Sequence, residues 1–294
     1  MNELLAALVQ LGIIDRATAD RINRNLDPIQ AQAWAEGRLY DEFAAALDGQ
    51  RDRLLRLVDA TNGRPTQAQI AAFWRAEDDA FFANVQRGLY DVAQERAITS
   101  IVTTGAFDIW ETVNQRVIDW VNDYYTNIDA EIVGSIPNLN ATGRTEFARA
   151  FIDWQRGELE TAGYADGLPQ LIRAIEPTFG QVRAERVAVT ETTRIFAEAT
   201  RQADNANPYI VAHRIYTAGD ERVCGVCGPL HGMVIPKTQR DAPHPSLGGI
   251  AGPPFHVNCR CVIISETTAT LQTALPPEET WQYTGALPER RPSP

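Results

Sequence analysis

Along most of the chain, apolar residues recur at three- and four-residue steps, the spacing of helices with one buried face. Leu4, Leu5, Leu8 and Leu11 form a first stripe, and Asp15 opens a second short helix running to Ile22. Asp27-Pro28 ends that helix, because a residue before proline disfavours α geometry. Phe43, Leu47, Leu54, Leu57 and Val58 keep helical spacing up to the breaker Asn62-Gly63-Arg64-Pro65, so the first 60 or so residues read as short helices. Thr66 is a good N-cap for a longer helix carrying Ile70, Phe73, Trp74, Phe81, Val85, Leu89 and Val92. A further stripe is predicted through Phe107, Trp110, Val117, Val121, Tyr124 and Ile128, with Asn114 in the slot between Trp110 and Val117. Phe82, Trp120 and Tyr125 lie off these stripes, so at least one helix must bury more than one face.

Gly134 to Asn140 reads as punctuation, Thr145 to Leu159 as a helix, and Pro169 to Ile175 as a short helix stopping before Pro177. Gln181 to Ala203 is the last long helix, with Val182, Val189, Phe196 and Ala203 seven residues apart. On it Glu191 stands three residues from Arg194, which predicts an intrahelical ion pair or a buttress for the cysteine-rich segment. The period then changes. His213 to Thr217 alternates as a strand, Leu230 to Ile235 reads as a hairpin return, and Val262 to Ile264 as a closing strand. Pro236 to Phe255, with its prolines and Gly248-Gly249, predicts a long irregular loop. Beyond Ala274 the chain becomes a Pro-, Glu- and Arg-rich tail in which Trp281 and Tyr283 are candidate anchors, to a partner or to the chain itself.

The expected fold class is therefore α+β: a mostly helical N-terminal body followed by a small α/β C-terminal module stapled by a Cys/His cluster. The segments are 1–64, an N-terminal helical hairpin region; 65–178, a helical domain; 179–268, the stapled module; and 269–294, an extended tail. A hydrophobic content of 44% and a charged content of 22% over 294 residues belong to a globular chain with a sizeable core. The net charge of −11 opposes any broad grip on nucleic acid, since phosphate contacts need clustered cations. Lys237 is the lone lysine among 27 basic residues, a composition bias before it is anything functional. No targeting segment or membrane span is legible, which predicts a protein kept in the reducing cytoplasm where it is made.

All four cysteines lie between 224 and 261, as the pairs Cys224/Cys227 and Cys259/Cys261, with His256 three residues before Cys259. A Cys-x-x-Cys turn points two thiolates at one ion, and a second pair on a returning segment completes a tetrahedral zinc site. A reducing compartment favours metal over a disulfide or free buried thiols. Cys259 and Cys261 would face opposite ways on an extended strand, which favours Cys224, Cys227, His256 and Cys259, whereas a bend at Arg260 would admit Cys261. A catalytic zinc needs an open position and a base; Asp220 and Glu221 are near in sequence, and His231 and His244 lie beside and within the loop, but four soft ligands leave no obvious vacancy. No Gly-rich phosphate loop, Gly-x-Ser-x-Gly or His-Glu-x-x-His occurs.

The run Arg186-Val-Ala-Val-Thr190-Glu191-Thr-Thr-Arg194, then Asp220-x-x-x-Cys224-x-x-Cys227-x-x-Leu-x-Gly232, then Pro253-Pro-x-His256-x-Asn-Cys259-Arg-Cys261, resembles the phage Mu F-like head morphogenesis (minor head protein) family over roughly residues 180–265. The resemblance implies a minor capsid protein of a tailed bacteriophage rather than an enzyme. Such a protein is assembled in the host bacterial cytoplasm and housed in the virion, in the capsid interior near the portal. The implied partners are the portal protein and major capsid or scaffold proteins, and the implied roles are procapsid assembly, DNA packaging or delivery. Tight DNA binding and membrane association are not expected. The competing reading is a metal-dependent hydrolase or nuclease built on the Cys/His module.

Overall fold

The computed structural model describes residues 3–24, 27–129, 134–159, 167–217, 223–237 and 252–271. Helices come first: α1 (Glu3–Gln10), α2 (Arg16–Arg24), α3 (Pro28–Ala60), α4 (Gln67–Thr104), α5 (Trp110–Thr126), α6 (Ile136–Arg156), α7 (Leu168–Phe179) and α8 (Gln181–Ala206). Among the described residues three strands come after them, β1 (Ile210–Tyr216), β2 (Val234–Pro236) and β3 (Val262–Thr267). The helical body and small antiparallel sheet are the α+β arrangement expected. No helix among the described residues is long and apolar enough to cross a membrane.

Local chemistry explains most helix starts. The Asp15 carboxylate accepts the Thr18 amide at 2.7 Å ahead of α2. Ahead of α4, the Thr66 hydroxyl accepts the Gln69 amide at 3.3 Å while Gln69 Oε1 accepts the Thr66 amide at 2.8 Å, a reciprocal capping box. Several expected boundaries move. The short helices expected after residue 27 are a single 33-residue helix, α3, because Pro28 is tolerated in a first turn, whose amides are unpaired anyway, and Asp27 caps it by accepting the Ile29 amide at 2.8 Å. The same rule turns the supposed punctuation around Pro137 into the first turn of α6. In α7, Leu171, Ile175 and Phe179 are buried at four-residue steps and carry the helix past Pro177.

The stripe on α5 is also corrected. Trp110, Val113, Val117, Val121 and Tyr125 are buried, whereas Phe107 is 46% and Ile128 82% exposed. Val113, not Asn114, fills the slot after Trp110, and Tyr125 replaces Tyr124 as the inward aromatic. Tyr125, four residues past Val121, continues the four-residue steps Val113, Val117 and Val121 of the buried face. On α1 Leu5 and Leu8 are buried but Leu11, past the helix end, is 72% exposed. On α8 the seven-residue series holds at Val189, Phe196 and Ala203 and fails at Val182, which is exposed.

The chain divides into two compact units, Gly37–Leu89 with Trp120–Ala188, and Met1–Glu36 with Tyr90–Asp119 and Val189–Pro294. The first is helical, with Phe43, Trp74, Phe81, Phe147 and Phe179 in its core. A buried polar tie crosses it: Gln50 donates to Asn140 Oδ1 at 2.9 Å, and Arg53 clasps the Glu77 carboxylate at 2.6 and 2.7 Å. The second unit carries the sheet, ordered β2-β1-β3 with both neighbours antiparallel to β1. Pairing sets His213 opposite Ile235 and Ser265, and Ile215 opposite Ile263, so these residues share one face. There Asp204 of α8 meets His213 Nε2 and accepts the Ser265 hydroxyl at 2.8 Å. Arg96 of α4 is buried beside them, donating to Thr200 Oγ1 at 2.8 Å and to the Ile263 carbonyl at 2.9 Å. Burial pushes its guanidinium down to about 10, with the Asp204 charge pulling the other way.

Candidate metal centre

The last turns before and between the strands bring the Cys/His set together. Cys224 and Cys227 belong to a turn in which Gly228 N donates to the Cys224 carbonyl at 2.9 Å. The Cys227 amide donates to Cys224 Sγ at 3.4 Å. A turn from Gly228 to Leu230 leads to Gly232, whose φ of +79° suits a residue without Cβ, and the chain then enters β2. On the returning side, the Cys259 amide donates to the His256 carbonyl at 3.2 Å and Asn258 sits at a φ of +64°. Cys259 to Cys261 is not extended strand, since β3 begins at Val262. The Cys259 and Cys261 sulfurs both lie within 4.8 Å of the Cys227 sulfur, so the alternation of an extended strand does not separate them.

Two groups of three donors lie within 4.8 Å of one another: Cys224, Cys227 and His256, and Cys227, Cys259 and Cys261. Cys227 is common to both. Its sulfur is 3.8 Å from Cys259 Sγ, and His256 Nε2 is 2.9 Å from Cys227 Sγ and 3.1 Å from Cys224 Sγ. His256 Nδ1 lies 2.6 Å from the Val257 carbonyl, which can only accept, so Nδ1 carries the proton. The Nε2 lone pair is thereby turned to the sulfurs, as a metal-ligating imidazole requires. All four cysteines are free thiols, and Cys227, Cys259 and Cys261 are buried in an apolar cluster with Ile215, Leu230, Ile235, Phe255 and Ile263.

Hydrogen bonds from Cys227 and then Cys261 hold the Cys259 thiol well below the usual range. Cys227 is pushed far up, by its bonds to Cys259 and Cys261 and by burial. Cys261 is also raised: its bond with Cys227 acts downward, but its bond to Cys259, burial and the Cys259 charge outweigh it. The three buried thiols therefore do not ionise independently, because charge on Cys259 opposes charge on its neighbours. Soft sulfur and imidazole donors, a fixed histidine tautomer and an apolar surround suit a divalent ion such as zinc.

Helix α8 props the centre from behind. Thr193 donates its hydroxyl to the Cys259 carbonyl and accepts Gln32 Nε2 at 2.7 Å, all buried. Thr190 Oγ1 accepts the Asn258 amide at 3.0 Å. Arg260 Nε pairs with Glu36 Oε2 at 3.1 Å. The expected pair of Glu191 and Arg194 is present at 3.2 Å. Sequence reasoning picked those two as possible buttresses and missed Thr190 and Thr193. The signal was there, since threonines inside a helix, on its buried side, need a partner for the hydroxyl. His231 stands apart from both donor groups, its Nδ1 3.0 Å from the Thr217 hydroxyl. Asp220, Glu221, His244, most of the Pro236–Phe255 loop, Trp281 and Tyr283 lie outside the described residues.

No curated protein and no solved structure matches the chain. One family model does, and its span contains α7, α8, most of the sheet and all five Cys/His donors. Residues 164–264 match the family described as Phage Mu protein F like protein, the family that the Cys/His motifs resemble.

Proposed function

We propose that the chain is a minor head protein of a tailed bacteriophage whose C-terminal module is held together by one structural zinc ion. The observation that carries this reading is the convergence, inside the matched residues 164–264, of His256 Nε2 on the Cys224 and Cys227 sulfurs at 3.1 and 2.9 Å. Four of Cys224, Cys227, His256, Cys259 and Cys261 hold the ion. When bound, it supplies positive charge that lets several buried thiols ionise together, tying the Cys224–Cys227 turn to the segment entering β3. Protein donors fill its four places, so no position remains for a reacting water and the role is structural rather than catalytic.

In this reading the protein associates with the portal inside the capsid and acts in procapsid assembly, DNA packaging or delivery. A net charge of −11 lets it work beside the genome without gripping it. Co-expression with the portal, major capsid and scaffold proteins of its phage tests the assignment. The expected result is co-purification with the portal and incorporation into procapsids. Absence of any capsid association overturns it, and metal-dependent nuclease activity lost in His256→Ala overturns the non-catalytic role. Salt-sensitive, tight duplex DNA binding in a gel-shift assay contradicts the charge argument.

A further inference from the structure

The zinc reading leaves five donors for four places, and the geometry points to Cys224, Cys227, His256 and Cys261 as the ligands of a single ion, with Cys259 outside its coordination shell. This assignment rests on that reading and goes beyond it. A cavity of about 20 Å³ opens beside the cluster, and Cys224, Cys227, His256 and Cys261 all contribute to its wall. Cys259 does not. A space of this size holds one water-sized guest, since a single water needs about 10–15 Å³, so it suits one ion and not two.

The surroundings of the two competing cysteines agree. Cys259 is wholly buried, its backbone fixed on both sides: its carbonyl accepts the Thr193 hydroxyl, and its amide donates to the His256 carbonyl at 3.2 Å. Its sulfur is 3.8 Å from Cys227 Sγ, in reach of an S–H···S bond to that ligand. Such a donor orients a ligand without being one. Cys259 and Cys261 both lie within 4.8 Å of Cys227, and of the two it is Cys261 that lines the cavity together with Cys224 and His256. Alternation along an extended strand would have placed Cys259 inward and Cys261 away. Here it is Cys261, not Cys259, that lines the cavity.

X-ray absorption at the zinc edge, with metal analysis, on full-length parent, Cys259→Ser and Cys261→Ser tests the assignment under reducing conditions. The parent is expected to hold one zinc with three sulfur neighbours and one nitrogen. Cys259→Ser should keep that shell and one ion per chain, with affinity reduced by no more than about 10–100-fold, the range for loss of an outer partner. Cys261→Ser should fall to two sulfurs or lose the ion. Four sulfurs in the parent, or a Cys259→Ser shell with two sulfurs while Cys261→Ser keeps three, overturns the assignment and leaves the zinc reading standing. A folded parent without metal overturns both. Should either variant fail to fold, the cobalt-substituted parent decides between three and four thiolates by the intensity of its sulfur-to-metal charge-transfer band.

Discussion

Thr193 shows how much one hydroxyl holds at this centre. It is fully buried, gives its proton to the Cys259 carbonyl and receives Gln32, so Thr193→Val keeps the shape and strands two polar groups. The expected cost is about 1–3 kcal/mol in denaturant unfolding, with Thr193→Ser close to the parent. An unchanged midpoint for Thr193→Val would show that the hydroxyl does not prop the cysteine segment. Asn258 is the second such position. Its φ of +64° is left-handed, which asparagine tolerates and a β-branched residue does not. Asn258→Val should destabilise by about 1–2 kcal/mol and Asn258→Gly by less. At this scale the chain was partly legible. Cysteine and histidine spacing marks the donors because ligand chemistry is local, but the supports are not local: Thr193 meets Gln32 and Cys259 far away in sequence, and nothing in the spacing of any one segment shows it. The choice between Cys259 and Cys261 was left open for the same reason, since backbone direction at Arg260 is set by what it packs against.

Helices were the easiest elements to read and their faces the hardest. The start of α4 was legible in Thr66 and Gln69, because a cap is a contact across three residues. The inward face of α5 was not, because choosing Tyr125 over Tyr124 depends on which neighbour accepts the ring. The structure makes a sharp distinction there. Tyr125→Ala, emptying a fully buried site, should cost about 3–5 kcal/mol by analogy with other buried aromatics, whereas Ile128→Ala, at an 82% exposed site, should stay within about 0.5 kcal/mol. Equal effects in thermal unfolding would return the stripe to its expected register. The cap of α2 adds a pH dependence. The Asp15 carboxylate is held below its ordinary value of 3.8, first by the Thr18 amide. A depressed carboxylate stabilises the fold above its unfolded pKa, and that contribution is lost as pH falls through the folded one. Asp15→Ala should therefore differ from the parent at neutral pH and converge with it in acid, by unfolding curves across that range.

For the molecule as a whole, the order of events along the chain was legible: a long helical body, then a small sheet carrying the Cys/His set. The partition into two compact units was not, because α3, α4, α5 and α8 each lend residues to both, and no break in composition marks the division. The sheet itself is small, with a β2 of only three residues, and the cysteine segments lie ahead of β2 and β3. An ion that binds the folded form alone stabilises it by mass action, about 4 kcal/mol when free metal is a thousandfold above its dissociation constant. A strong chelator under reducing conditions should lower the unfolding midpoint accordingly, and added zinc should restore it. The most direct test is elemental analysis of the full chain purified under reducing conditions. One zinc per chain is the result the account predicts; a folded, reduced chain with no stoichiometric divalent metal would contradict it.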